Sequence, residues 1–212
     1  MKVMNKKVTE NYPKGCGDKT EKGKPIIYAQ NGDCHVRYVL QGGAIGDNPL
    51  ICIGINPSKP ENNDGGGMVT AIERVLRNSQ GKYDSWVLLN VYPEYAVKTV
   101  ELPDDYNVKL VDENYQQIEN ILKTIAEKTN GHLTVWAAWG VSVGKKQYLP
   151  KLLRDVIDLF KRYKCSWITC GEETKERHPR YPVSTCGGCV LKKFEIDRYL
   201  SIIKNLESKR NR

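Results

Sequence analysis

Polar and aromatic residues that could carry chemistry follow four apolar segments of the sequence. Asn56 follows the first segment, Asn90 the second and the pair Trp139-Gly140 the third, while His178 lies in the polar stretch after the fourth. An asparagine amide offers both a hydrogen-bond donor and an acceptor, and a histidine can hold or release a proton near neutral pH. If the four segments are strands of one sheet, these groups meet at one edge and form a small polar site.

The elements that would position this site alternate along the chain. A hairpin is predicted over 26–30 and 34–41, turning at Asn31-Gly32-Asp33. Buried strands are predicted over 50–55, 85–91, 132–139 and 165–170. Amphipathic helices are predicted over 69–79, 112–129 with Asp112 as N-cap, 145–163 and 191–207. The pattern indicates an α/β fold with an open, mainly parallel four-stranded sheet and helices on both faces, preceded by a β-hairpin.

Composition indicates one domain with basic ends. Of the 212 residues, 40% are hydrophobic and 27% are charged, which excludes collagen-like, coiled-coil and wholly disordered classes. We divide the chain into a flexible basic arm over 1–24, a single α/β domain over 25–207 and a basic tail over 208–212. No apolar run is long enough to cross a membrane, and no apolar stretch follows the first lysines, so we expect a cytoplasmic protein.

One internal segment is also basic. Residues 140–164 contain seven basic residues against two aspartates. The basic residues are Lys145, Lys146, Lys151, Arg154, Lys161, Arg162 and Lys164. This local excess of positive charge predicts a surface that faces phosphate groups.

The seven cysteines do not predict a disulfide framework, because their number is odd and no secretory signal is present. Cys186-Gly-Gly-Cys189 has the spacing of a metal-ligand pair, and Cys165, Cys170 or His178 could complete a four-ligand set. We favour reduced thiols without a metal, and we expect no cofactor. Nucleotide-binding glycine motifs, phosphate loops, zinc-protease motifs and serine-hydrolase elbows are all absent.

Four short strings occur in order: GINPS at 54–58, LLN at 88–90, VWAAWG at 135–140 leading to Lys145-Lys146, and HPRYPVS at 178–184. Their order and spacing resemble those of the uracil-DNA glycosylase superfamily. The chain from about 35 to 200 also looks like an uncharacterised bacterial and phage domain family with no settled activity. The first resemblance implies a monofunctional DNA glycosylase that hydrolyses the N-glycosidic bond of a uracil-type or 5-substituted pyrimidine in DNA.

The resemblance implies a catalytic group of three residues. His178 matches the histidine that donates a hydrogen bond to the O2 atom of the leaving base. Asn56 matches the residue that positions the attacking water, where the uracil branch has an aspartate. Asp64, in the same loop, could supply the missing carboxylate. The alternatives are that His178 caps a loop and that Asp64 is an ordinary loop residue.

The resemblance also implies a base pocket. Asn90 matches the amide that binds the pyrimidine edge, although it could instead tie the loop backbone. Ser58 stands where the uracil branch has a bulky tyrosine, which predicts tolerance of a substituent at the 5-position. Tyr92 or Trp139 could stack on an extruded base, but Trp139 could equally belong to the core.

DNA is the partner that the resemblance implies, and we expect a monomer with no membrane contact. Lys145, Lys146 and Arg180 would contact the DNA backbone, and Tyr181 could insert into the base stack. Pro182 or Val183 holds the place of the usual wedge leucine. Two alternatives remain: a non-hydrolytic protein of the same fold that binds a nucleotide or modifies a base, and an interaction protein.

Overall fold

The structure is a computed structural model that describes residues 26–29, 36–57, 66–182 and 189–208. Its centre is a seven-stranded mixed sheet with the strand order β1-β2-β4-β3-β5-β6-β7. The strands are β1 (Ile26–Ala29), β2 (Val39–Gly42), β3 (Pro49–Gly54), β4 (Ser85–Asn90), β5 (His132–Ala137), β6 (Lys164–Cys170) and β7 (Leu191–Lys193).

The four central strands β4, β3, β5 and β6 are parallel, as the alternating pattern predicts. Every residue of β3 and β4 is buried, because helices cover both faces of a parallel sheet and leave no polar side to the strand. β1, β2 and β7 pair antiparallel at the two sides. The prediction of a four-stranded, mainly parallel sheet is therefore correct for the centre only.

Helices cover both faces, as predicted. They are α1 (Gly66–Asn78), α2 (Val108–Lys128), α3 (Leu149–Phe160) and α4 (Ile196–Ser208). α1 packs on one face of the sheet with its apolar residues at helical spacing. α2, α3 and α4 pack together on the other face, around the larger of two apolar clusters.

The helix boundaries differ from the prediction at several ends: α1 begins three residues earlier than predicted, and α3, predicted over 145–163, spans only Leu149–Phe160. The helix predicted over 191–207 begins only at Ile196, because Leu191–Lys193 pairs with the edge of β6 as a short strand. Two lysines in that strand are typical of a protected sheet edge. α2 begins four residues before the predicted Asp112, because the Asn107 side chain accepts a hydrogen bond from the Leu110 amide at 3.3 Å and caps the helix.

The connections create a crevice at the carboxyl ends of the strands. From β3 the chain crosses through α1 to β4 on one side, and it then returns through α2 to β5 on the other side of β3. The segments that follow β3 and β5 therefore leave toward opposite faces of the sheet. Ligands of open α/β sheets bind in the crevice at such a switch point.

The cysteines differ from the expectation of unpaired thiols. Cys170, at the end of β6, forms a disulfide with Cys189. Cys52 is buried in β3 as predicted, and burial raises the pKa of its thiol. No group of residues suited to a metal occurs in the described part of the chain, and Cys186 lies outside it. None of the described helices is long and apolar enough to span a membrane. The predicted arm over 1–24 lies outside the described residues, as does nearly all of the tail.

Candidate functional site

Two adjoining cavities lie at the switch point. The larger one, the cleft, has a volume of about 330 Å³, at the lower end of the range for small-molecule sites. Its polar lining residues are Asn56, Lys98, Thr99, Ser142, Lys145 and Tyr181. The smaller one, the inner pocket, has a volume of about 20 Å³ and is reached by Asn90. The two cavities share Ile55, Asn56 and Tyr181, so they are neighbours.

Asn56 lines both cavities, but its amide is already occupied. Its Nδ2 donates to the carbonyl oxygens of Pro57 and Ala96, at 2.9 Å each, and its Oδ1 accepts from Thr99 Oγ1 at 2.9 Å. These bonds tie the segment after β4 to the end of β3. Asn56 therefore positions the segment after β4. Its amide keeps few free lone pairs with which to orient a water molecule, which is its predicted role.

Asn90 reaches the inner pocket from the last position of β4. Its side chain is 3% exposed, and its Nδ2 has no hydrogen-bond partner. Gly54 is its register partner on β3, and a Cβ at Gly54 would lie 3.1 Å from Asn90 Oδ1, so glycine leaves the amide its space. On α2, Asn114 Nδ2 donates to the backbone oxygen of Asn90 at 3.0 Å and fixes the end of the strand.

His178 lies at the end of a buried hydrogen-bond chain. Trp139 Nε1 donates to Tyr199 Oη at 3.0 Å, and Tyr199 Oη lies 2.8 Å from His178 Nδ1. The indole can only donate, so the tyrosine oxygen accepts from it; where the hydroxyl in turn donates to Nδ1, the ring carries its own proton on Nε2. No described residue bonds to Nε2. Burial also lowers the pKa of His178, against the weaker effect of Glu176. Burial therefore favours the neutral imidazole, and His178 is not among the described residues that line the cleft or the inner pocket.

The two proposed stacking residues belong to the core. Trp139 and Tyr92 are both fully buried; Trp139 is among the residues that line the cleft, whereas Tyr92 lines neither cavity. Trp139 packs among Trp167, Phe194 and Tyr199, in agreement with the core alternative. Tyr92 Oη donates to Glu94 at 3.0 Å, and burial raises its pKa to about 12. The arrangement favours the core interpretation for Tyr92, and stacking of a base on Trp139 stays a prediction.

Tyr181 is the aromatic residue that faces both cavities. It is 39% exposed and lines the cleft and the inner pocket together. Its backbone and Cβ press against Gly140, where a Cβ would lie 3.2 Å from Tyr181 Cβ. Gly140 also has a φ of +61°, which favours glycine. The turn at Trp139-Gly140 therefore packs closely against the segment that follows His178.

The basic residues that were predicted to contact the DNA backbone divide into two groups. Lys145 lines the cleft and makes no ion pair with a described carboxylate. Lys146 instead pairs with Asp104 at 2.8 Å, and its side chain is 12% exposed. Arg180 Nε donates to the Glu172 carbonyl oxygen at 2.8 Å. Of these three basic residues, only Lys145 lines the cleft, where it could contact a phosphate group.

One protein family, described as "Protein of unknown function (DUF1643)", matches residues 37–183. The chain belongs to this family. The matched region includes Asn56, Asn90, Trp139 and His178, which are the residues that follow the central strands. Comparison with curated proteins and with solved structures found no match. The family description states no activity, so the function must be inferred from the site itself.

Several predicted site residues lie outside the described residues, among them Ser58, Asp64 and Val183. Sequence reasoning missed others that are described. Asn114 was detectable, because it is a polar residue on the apolar stripe between Val111 and Ile118. Tyr199 has only the helical spacing of a core residue, and nothing in that spacing reveals a bond to His178.

Proposed function

We propose that this chain binds a pyrimidine base at the carboxyl edge of its sheet and hydrolyses the N-glycosidic bond that joins the base to its sugar in DNA. The observation that carries this proposal is the chain from Trp139 through Tyr199 to His178, which supplies a neutral N–H donor. The strand order β4-β3-β5-β6, with helices on both faces, supports the resemblance to the uracil-DNA glycosylase fold.

The chemistry explains why a neutral donor is needed. When the bond between C1′ and N1 breaks, the electron pair stays with the base and negative charge collects on N1 and O2. A hydrogen bond from His178 Nε2 to O2 would stabilise that charge, as an oxyanion-hole donor does. A charged imidazolium would hold the substrate oxygen before the reaction as well, but burial opposes that form here.

Water completes the reaction by adding to C1′ and giving up a proton. The described residues that line the cleft include no carboxylate, and the Asn56 amide is engaged by the backbone and Thr99. The proposal therefore assigns the proton to Asp64, one of the two acidic residues, with Glu61, in the polar stretch of sequence after Asn56. Asn56 has a structural role in this proposal, because it fixes the segment after β4 that lines the cleft.

The same observation favours one alternative. If Asp64 does not serve as the base, the site retains Asn90 and His178 as hydrogen-bond donors without a means to activate water. The protein would then bind a pyrimidine nucleotide, or a modified base, without cleaving it. Binding without cleavage is the specific outcome that separates this alternative from the proposal.

A cleavage panel tests the proposal. Oligonucleotides carrying uracil, thymine opposite guanine, 5-hydroxymethyluracil, 5-hydroxymethylcytosine or glucosylated cytosine are incubated in single and double strands and then treated with alkali. We expect a strand break at one or more of the uracil-type bases. We expect His178→Ala to lower the rate by about 10²–10³-fold, the usual effect of losing an oxyanion donor.

His132→Ala is the matched control, because His132 is an exposed histidine at the opposite end of β5. Its rate should equal that of the wild type. Equal rates for His178→Ala and the wild type would contradict the role of His178. A blank panel from folded protein that still binds the oligonucleotides would replace hydrolysis by the binding alternative.

A further inference from the structure

The inner pocket is too small for the ligand that the proposed function requires. Its volume of about 20 Å³ is only slightly more than one water molecule needs, whereas small-molecule sites usually measure about 300 Å³ or more. Gly54 lies between its apolar walls, because a Cβ there would be 3.7 Å from Met68 Cε and 4.0 Å from Leu88 Cδ1. In this conformation no whole base fits beside Asn90.

Tyr181 lies at the boundary between the inner pocket and the cleft. The two cavities share three described lining residues, Ile55, Asn56 and Tyr181. Ile55 is 5% exposed, and three hydrogen bonds hold the Asn56 amide, so both are fixed at the end of β3. Tyr181 is 39% exposed, so its side chain borders solvent. Of the three, Tyr181 is the residue whose movement would join the two cavities.

The hydroxyl end of Tyr181 is directed inward. Burial raises the pKa of Tyr181, and Cys52 of β3 adds to this rise. Cys52 is buried, and its Sγ lies 4.0 Å from the Sδ of Met68, which lines the inner pocket. The Tyr181 ring therefore extends from the solvent-exposed cleft toward the inner pocket. A phenol and a pyrimidine are six-membered rings of similar size, so the ring takes up the space that a base would need there.

The position of His178 also indicates a closed site. His178 lies three residues before Tyr181, is 6% exposed and lines neither cavity. Its backbone is held by Thr174, whose Oγ1 accepts from the His178 amide at 3.1 Å and whose amide donates to the His178 oxygen at 2.9 Å. Its ring is held by Tyr199. The movement that opens the site is therefore expected at Tyr181 and not at His178.

We infer that Tyr181 is a gate: its side chain closes the inner pocket in the free protein and swings out toward solvent before a base can occupy the site. This inference rests on the proposed function, since the closed site is the one proposed to hold the base. A ligand that binds only the open form shows an affinity reduced by the fraction of molecules that are open. Free nucleosides, which make few contacts outside the pocket, should therefore bind weakly.

Thiol labelling measures the opening without any base. Asn90→Cys places a thiol in the inner pocket, and methyl methanethiosulfonate can modify this thiol only after entering the pocket. Peptide mass spectrometry separates it from the native cysteines, and Cys165, which is half-buried on β6, is the internal reference. We expect slow but measurable labelling of the introduced thiol in folded Asn90→Cys, and labelling at least about tenfold faster when Tyr181→Ala is added.

Met68→Ala is the matched control in the same background. It also removes a side chain from the wall of the inner pocket, but Met68 does not line the cleft. It should therefore enlarge the pocket without opening it, and labelling should change by less than about twofold. Tyr181→Phe keeps the ring and should label slowly as well. Tyr181→Val serves if Tyr181→Ala does not fold, and circular dichroism with urea unfolding establishes that each variant is folded.

A second measurement connects the gate to the proposed function. Isothermal titration calorimetry gives the affinity of the full chain for 2′-deoxyuridine. Tyr181→Ala should bind this nucleoside at least about fivefold more tightly than the wild type, because the closed form no longer competes. Tyr163→Ala is the control, since Tyr163 is a half-buried tyrosine that lines neither cavity. Its affinity should equal that of the wild type.

The outcomes separate the gate from the proposed function. Labelling that is no faster with Tyr181→Ala than with Met68→Ala would overturn the gate, whether or not a base binds. Labelling of Asn90→Cys that occurs only on global unfolding would show a fixed wall and would also overturn it. Faster labelling without nucleoside binding by any variant would support the gate and overturn base binding. Measurable binding that is equal or weaker in Tyr181→Ala would show that the ring is no barrier to the base.

Discussion

Two basic regions of the molecule use their positive charges differently. On α3 and the turn after it, four basic side chains each pair with a carboxylate: Lys151 with Asp155, Arg154 with Glu207, Lys161 with Asp158 and Arg162 with Glu119. At the cleft, Lys98 and Lys145 make no ion pair with a described carboxylate. The segment with more positive charge in the sequence therefore presents less unpaired charge in the fold.

The same contrast distinguishes the two asparagines at the strand ends. Asn56 has its amide fully engaged by the segment after β4, whereas Asn90 keeps an unpartnered Nδ2 in the inner pocket. Folding normally satisfies buried polar groups, so the unsatisfied ones are informative. Asn90 Nδ2 is such a group, and it lies at the inner pocket beside the cleft.

The largest effect that would test this contrast is expected from Tyr199→Phe, which removes the hydroxyl between Trp139 and His178. We expect cleavage to slow by about fivefold or more, since a lost hydrogen bond of ~1 kcal/mol corresponds to about that factor. The variant also leaves the buried Trp139 N–H unpaired, which should lower the free energy of unfolding by ~1–3 kcal/mol.

The pH profile separates a positioning role from a loss of stability. Burial lowers the pKa of His178, so in the wild type the neutral form persists below the ordinary histidine range and activity declines only in more acidic solution. Without the Tyr199 hydroxyl, Nδ1 takes up a proton more readily, so the acid limb should move to higher pH. Tyr163→Phe, at a tyrosine beyond α3, should leave the profile unchanged. If the acid limb of the pH profile of Tyr199→Phe stays where it is in the wild type, the hydroxyl contributes to packing and does not tune His178.

These expectations depend on contacts that the sequence does not reveal. The four central strands and the existence of four helices followed from apolar runs and helical spacing, which reflect burial directly. Sequence order also placed Asn90 and His178 after buried strands. The partner of His178, however, comes from 21 residues along the chain, and only the packed fold brings Tyr199 to it.

The errors have the same origin. β7 was predicted as the start of a helix because three residues carry no period of their own, and pairing with β6 decides their conformation. The ion pairs of the basic segment could not be predicted either, because its acidic partners Glu119 and Glu207 lie outside it in sequence; its contact with phosphate stays a prediction.

A smaller effect is expected at the two asparagines. Asn56→Ala removes two hydrogen bonds that join the end of β3 to the segment after β4, and a third to the neighbouring Pro57, so the free energy of unfolding should fall by ~1–3 kcal/mol. Asn90→Ala removes a donor that has no partner, so it should destabilise the fold less while weakening the binding of uracil strands. Urea unfolding of both variants measures the difference. Equal destabilisation, or a cleavage defect in Asn56→Ala without any loss of stability, would restore the water-positioning role to Asn56.

The smallest effect is expected from the unpaired lysines of the cleft. Lys98→Gln combined with Lys145→Gln should weaken the binding of single strands at low salt. The slope of log affinity against log salt should become shallower by about 1.4, because each phosphate contact contributes about 0.7 on single-stranded DNA. Anisotropy titrations across a series of salt concentrations give the slope directly.

The matched control removes the same amount of charge from the paired region. Lys161→Gln combined with Arg162→Gln breaks two exposed ion pairs, which should change the free energy of unfolding by less than ~1 kcal/mol each and leave the salt slope as in the wild type. If this variant flattens the slope as much as the cleft variant does, nucleic acid contacts the helix surface, and paired charges are then as available to phosphate as unpaired ones. If only the cleft variant changes the slope, the strand follows the cleft.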